Sequence, residues 1–145
     1  MQFYMKELID KHVLIHPLLP IDPAQKQGHL GTISYASYDN EIMEVSFEDG
    51  EKSLYLTDAL LVFKSIRELS QTIKEQQLLT EKNLKTFMDV YLILKNEGRS
   101  QVPKAFHMIL SNNQILSLAT VSLTSRLELT LPEDMHPYWQ KGPKR

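Results

Sequence analysis

The chain contains no cysteine. Disulfides, thiolate metal sites and thiol nucleophiles are therefore excluded, and the fold must be held by its own core. Long apolar runs are also missing. No window approaches the roughly 18 apolar residues that a membrane span needs. Residues 1–10 show no basic segment leading into an apolar one, so no signal peptide is expected. The expectation is a cytoplasmic protein with no membrane attachment. There is no Gly-x-Ser-x-Gly elbow, and the turn at Gly28 and Gly31 lacks the Lys-Ser/Thr of a phosphate loop. No enzyme is expected: no catalytic residue, no cofactor and no metal site.

What is present is enough for an ordinary core. Of 145 residues, 42% are hydrophobic and 23% charged, a balance that argues against disorder and suits one domain or a small domain with an appendage. The net charge of −2 is unevenly spread. Residues 11–63 carry three lysines and eight acids, a balance of −5, whereas residues 64–145 carry twelve Lys or Arg and eight acids, a balance of +4. Phosphate backbones bind through Lys and Arg, so any affinity for nucleic acid belongs to the second half.

The first half has period-two character. His12 to His16 reads as a buried strand ended by Pro17, and Leu18 to Gln27 as a loop. Gly28 and Gly31 bracket the next turn, where they serve positive φ or a close backbone crossing. Strand residues follow from Thr32 to Tyr38. From Met43 onward apolar and polar residues alternate strictly through Val45, Phe47 and Glu48, which buries one face and wets the other. Asp49-Gly50 is a hairpin signal, and Leu54, Tyr55 and Leu56 form the return strand. Thr57-Asp58-Ala59 reads as one helical turn before a last strand, Leu61 to Phe63. His12 and His16 have metal-ligand spacing on a helix, but on a strand they stand about 13 Å apart, too far for one ion. His29 is read as an exposed loop residue.

The pattern Gly28-x-x-Gly31-Thr32-Ile33, then Val45-x-Phe47-x-Asp49-Gly50-Glu51, then the Thr57-Asp58 turn, resembles SH3-like small barrels, most of all the KOW and Tudor groups. The resemblance covers residues 11–63. It implies a non-enzymatic module that binds protein or nucleic acid. The segment departs from RNA-binding KOW proteins in being acidic. A Tudor-type cage would have to be built from Tyr35, Tyr38, Phe47 and Tyr55.

Beyond residue 63 the period lengthens. Ser65 and Glu68 fit a capping box, Thr80 caps a second helix that Gly98 ends, and Ser100 and Pro103 open a third. The short link near residues 78–80 predicts an antiparallel helical hairpin. Alternation from Ala119 to Leu131 favours a strand kinked near Ser125, with a helix as the alternative because Leu116, Leu123 and Leu127 also share a face. The tail holds the single Trp, Trp139, and a basic end, Lys141 to Arg145.

The expected class is α+β: an N-terminal SH3-like small antiparallel β-barrel over residues 1–63, then a helical region (helical hairpin plus third helix) with a C-terminal strand over residues 64–145. Whether the two pack as one unit is left open. The expected function is an adaptor or regulatory protein that binds a protein partner through Tyr35, Tyr38, Glu44, Glu48 and Tyr55. The alternative is nucleic-acid association through Lys82, Lys85, Lys95, Arg99 and Lys104. If the barrel does not cover the stripe of Phe87, Met88 and Tyr91, that stripe would pair two copies of the chain.

Overall fold

The computed structural model describes residues 8–37, 41–75 and 79–130, with side chains through residue 127. It is an α+β fold built on one six-stranded antiparallel sheet. The strands are β1 (His12–Ile15), β2 (Leu30–Ser37), β3 (Ile42–Ser46), β4 (Lys52–Leu56), β5 (Leu60–Phe63) and β6 (Thr120–Ser122), in the order β4-β3-β2-β1-β5-β6. A single 3-10 turn, Thr57–Ala59, separates β4 from β5. The helices are α1 (Ile66–Glu75), α2 (Glu81–Glu97), α3 (Val102–Ile109), α4 (Asn113–Ala119) and α5 (Leu123–Thr130). Among the described residues no helix is long and apolar enough to cross a membrane. The sheet has two edges, β4 and β6, and no strand pairing joins them among the described residues.

The centre of the sheet is buried on both sides. Val13, Leu14 and Ile15 of β1 are all fully inaccessible. Val13 and Ile15 face one core, with Ile33, Met43, Val45, Phe47, Tyr55 and Leu60. Leu14 faces the other way, into a core shared with Leu69, Phe87, Phe106, Ile109 and Ile115 of the helices. Phe63 and Phe106 lie with ring centroids 4.2 Å apart, which pins α3 to β5. A continuous apolar run is what a strand covered on both faces requires.

Both glycines of the opening motif do geometric work. Gly28 has φ +78°, in the left-handed region. Gly31 sits where any Cβ would meet Val45 Cγ1 at 2.4 Å, so β2 and β3 can close only without a side chain there.

The helix signals fall where the sequence puts them except at Ser100, which lies in the 3-10 turn Gly98–Gln101 and donates to the Glu97 carbonyl instead of opening α3. Thr80 Oγ1 accepts the Asn83 N–H, Gly98 closes α2, and Pro103 lies in the first turn of α3. Asn112 caps α4 by accepting the Ile115 N–H. At the start of α1, the Ser65 N–H donates to Glu68 Oε1 at 2.8 Å, and the Glu68 N–H donates to Ser65 Oγ at 3.1 Å. The Arg126 guanidinium reaches the same carboxylate from α5. Arg126 first, and then the Ser65 N–H, hold the Glu68 carboxyl down from its ordinary 4.5 to about 2. A depressed carboxyl stabilises the fold above its unfolded pKa and loses that contribution as pH falls toward the folded value. Glu68→Gln is therefore expected to cost about 1 kcal/mol at pH 7, after solvent screening of a partly exposed pair. Near pH 2 it should cost almost nothing. Urea denaturation at the two pH values measures the difference, and an equal loss at both would rule out the linkage.

The C-terminal strand needs correction. Only Thr120–Ser122 is strand, and residues 123–130 are helix. β6 pairs with the short β5 through Leu61↔Ser122, Val62↔Val121 and Phe63↔Thr120. Ser122 then accepts the Ser125 N–H through its hydroxyl, a helix cap that breaks the alternation three residues before the expected kink. Leu123 and Leu127, four apart, turn one helical face into the sheet's own core. The helical half thus supplies both a strand to the sheet and a lid to its interior.

Candidate interaction surface

The outer face of β2, β3 and β4 is the surface on which the expected site residues can be tested. Its shape comes from a bulge. The β2–β3 register shifts between Ile33↔Val45 and Tyr35↔Glu44. Ile33 points inward, Ser34 and Tyr35 both lie outside the core, and Ala36 returns to it. The bulge therefore turns Tyr35 to solvent. On β3 the alternation is as expected, with Met43 and Val45 buried and Glu44 on the wet side. Ser34 Oγ donates to Glu44 Oε1 at 2.8 Å, which holds that carboxylate on the face.

Cross-strand pairing sets two rows. Tyr35 lies opposite Glu44, and Glu44 opposite Leu54; Ser37 lies opposite Ile42, and Ile42 opposite Leu56. Tyr35, Leu54 and Leu56 are 60%, 63% and 55% exposed. They form an apolar patch around one carboxylate at the open edge of the sheet. Ile42, Leu54 and Leu56 were not among the expected site residues. Hairpin register decides them: the loop takes three residues, Glu48 to Gly50, so Tyr55 falls opposite Met43 and its neighbours face out, whereas a two-residue Asp49-Gly50 turn would set Tyr55 opposite Glu44.

Tyr55 is the correction that follows. It is 5% exposed and belongs to the core, not to a partner-binding face. Its hydroxyl donates to Asp22 Oδ2 at 2.8 Å, and its ring meets Phe47 edge-on with centroids 6.3 Å apart. Asp22 also accepts the Ala24 and Lys26 N–H groups, so the pair folds the β1–β2 loop over the sheet end. Burial, and then the Asp22 carboxylate, push the phenol well above its ordinary value. Phe47 and Tyr55 thus face the opposite side of the sheet from Tyr35, and these three do not build an aromatic cage. Tyr38 lies outside the described residues.

No protein-family model, no curated protein and no solved structure matches this chain. The surface has to be read from its own chemistry.

Glu48 is exposed but stands apart from Glu44, on the β3–β4 hairpin. There it lines a cleft of about 720 Å³ between the hairpin, the glycine turn and α3. His12, His29 and His107 line the same cleft, and among the described residues no cluster of His, Asp and Glu has the arrangement of a metal site. Lys26 spans the hairpin end, paired with Asp49 and Glu51 and lying 5.3 Å from the centre of the Phe47 ring. His16 accepts the Leu18 N–H through Nδ1 and so serves the Pro17 turn.

The basic residues of the helical half are spread over several elements. Lys82, Lys85, Lys95, Arg99 and Lys104 are all exposed. Lys85 pairs with Asp89 one turn on, and Lys95 lies over the Tyr91 ring. The stripe on α2 is divided: Phe87 is 1% exposed and Tyr91 packs against the helical core, while Met88 and Leu92 face out.

Proposed function

We propose that this chain is a non-catalytic interaction protein that docks a protein partner on the outer face of β2, β3 and β4. One observation carries the reading: Tyr35, Leu54 and Leu56, each more than half exposed, are grouped around Glu44 on a sheet face beside an open strand edge. Isolated surface leucines need no explanation, but two exposed leucines and an exposed tyrosine grouped around one carboxylate on a single sheet face have the chemistry of an interface. Glu44 lies within the patch, and the surrounding segment is strongly acidic. The matching partner segment is apolar with basic flanks. The free edge of β4 offers main-chain groups for an added strand, so affinity and side-chain selection can act together.

The SH3-like reading belongs to the same proposal. The order β4-β3-β2-β1-β5, with a 3-10 turn leading the last strand back beside the first, supports it. In that reading the sheet curls around its core into a small barrel, and β6 and α5 are additions from the helical half.

A photoreactive benzophenone side chain at position 54 tests the surface in cells. It is expected to capture a protein that the same probe at Lys82 does not. Glu44→Lys combined with Leu56→Ser should reduce the yield about tenfold, the scale of losing one or two anchor contacts. Both positions are outside the core, so thermal melting should stay unchanged. Identical adducts at 54 and 82, or adducts indifferent to the double substitution, would remove the reading.

A further inference from the structure

We propose that the cleft between the start of β1 and the turn after α2 is a binding site for a phosphate group, held by Lys11 and Arg99. The cleft has a volume of about 290 Å³ and shares no lining residue with the apolar patch. Its walls include Lys11, His12, Val62, Phe63, Arg99 and Ser100. Arg99 and Ser100 come from the 3-10 turn Gly98–Gln101, Lys11 precedes β1, and Val62 and Phe63 belong to β5. Three separate elements therefore present groups to one opening.

The charge pattern is the argument. Lys11 is half-buried, and both Arg99 and Arg126 are close enough to act on its ammonium. Burial first, and then these two guanidiniums, hold the lysine below its ordinary pKa. Arg126 is compensated by Glu68. Among the described residues, neither Lys11 nor Arg99 has a carboxylate within ion-pair distance. Two uncompensated cations facing one small cleft repel each other and are relieved by an anion between them. A phosphate group matches that demand with two negative charges and several acceptor oxygens, and a guanidinium can bind it through two parallel N–H bonds. The apolar wall of Val62 and Phe63 leaves room for a small organic substituent, so a phosphomonoester is as suitable as the free ion. Asp10 also lines the cleft; burial holds His12 below its ordinary pKa, and Asp10 opposes that only in part. Its carboxylate opposes an anion, which gives the proposal a second sign to test.

The experiment titrates the full chain with inorganic phosphate and, separately, with glycerol 3-phosphate, at constant ionic strength balanced with chloride, following backbone amide shifts. Saturable shifts centred on residues 10–12 and 98–100 are expected, and the tighter ligand identifies free ion or monoester as the better occupant. Lys11→Met and Arg99→Gln should each weaken binding about tenfold or more, as expected for losing a charge-assisted contact. Asp10→Asn should tighten it several-fold. Asp10 has φ +70°, which asparagine tolerates, so this variant keeps the backbone. Lys11→Met is also expected to raise the melting temperature of the free protein, because it removes a half-buried cation crowded by two others. If Lys11→Met does not fold, the exposed Arg99 and the Asp10 variants carry the test. The proposal is overturned if neither ligand saturates up to about 20 mM, a dissociation free energy too small for a site. It is equally overturned if the shifts persist undiminished in Arg99→Gln and do not tighten in Asp10→Asn.

Discussion

Gly31→Ala is expected to destabilise the protein by about 3 kcal/mol, the upper part of the range for forcing atoms into a packed core. The reason is steric and local. The new Cβ would lie 2.4 Å from Val45 Cγ1, 2.9 Å from the Ser46 carbonyl oxygen and 3.1 Å from Phe47 Cε1. None of the three can step aside cheaply. Val45 is fully buried and β-branched, with restricted χ1 freedom. The Ser46 oxygen belongs to backbone in register with Thr32, the residue next to Gly31. Phe47 is held by its edge-on contact with Tyr55. Relief therefore requires β2 and β3 to separate, which also disturbs the Val13↔Gly31 pairing on the other side. Gly28→Ala supplies the control. Gly28 has φ +78° but nothing within 4 Å of its Cβ position, so alanine there meets only backbone strain of about 1 kcal/mol. Chemical denaturation of the two variants should separate them by about 2 kcal/mol. Equal losses would mean that the close crossing at Gly31 does not govern the sheet.

The contrast also shows what a sequence reader can and cannot see. Two glycines three apart announce unusual backbone, and the alternatives of positive φ and close approach are both correct, one at each position. Which is which depends on what the chain brings back beside them, and that is β3. The same holds for caps and turns. The Ser65–Glu68 box, Thr80 and Asp49-Gly50 are legible because each closes its hydrogen bonds within four residues. The candidate surface is less legible. Tyr35 faces out because of a bulge at Ser34, and nothing local at Ser34 announces one. Tyr55 reads as an exposed aromatic because a two-residue Asp49-Gly50 turn would set it opposite Glu44; the loop takes three residues, Glu48 to Gly50, and Tyr55 lies beside Met43 in the core. The extra loop residue also turns Leu54 and Leu56 outward, so the apolar patch depends on loop length, which the Asp49-Gly50 signal alone does not fix. The Lys11–Arg99 cleft has no sequence signal at all, since 88 positions separate its two cations.

The last element shows a conflict between two periods in one segment, and it carries the other large effect. Between Ala119 and Leu127 the apolar residues satisfy alternation almost throughout, yet Leu123 and Leu127 also satisfy the helical spacing. Tertiary context decides between them. β5 is four residues long and offers β6 only three partners, so a longer strand would leave its backbone groups unpaired against the sheet. Ser122 caps the helix instead, and Leu123 enters the core with zero exposure, in the same cluster as Val13, Ile33 and Met43. Leu123→Ala is therefore expected to cost about 3 kcal/mol, the loss for emptying a fully buried leucine site. The surface control, Leu92→Ala on the exposed side of α2, should cost about 0.5 kcal/mol or less. The placement makes a further demand. If α5 closes the core that β1–β4 build, amide protection in β3 and β4 must fall together with protection in α5, and unfolding must remain one transition. Were Leu123→Ala to cost under about 1 kcal/mol, or to loosen α5 while the β3–β4 amides kept their protection, the helix would be resting on the sheet and not filling it.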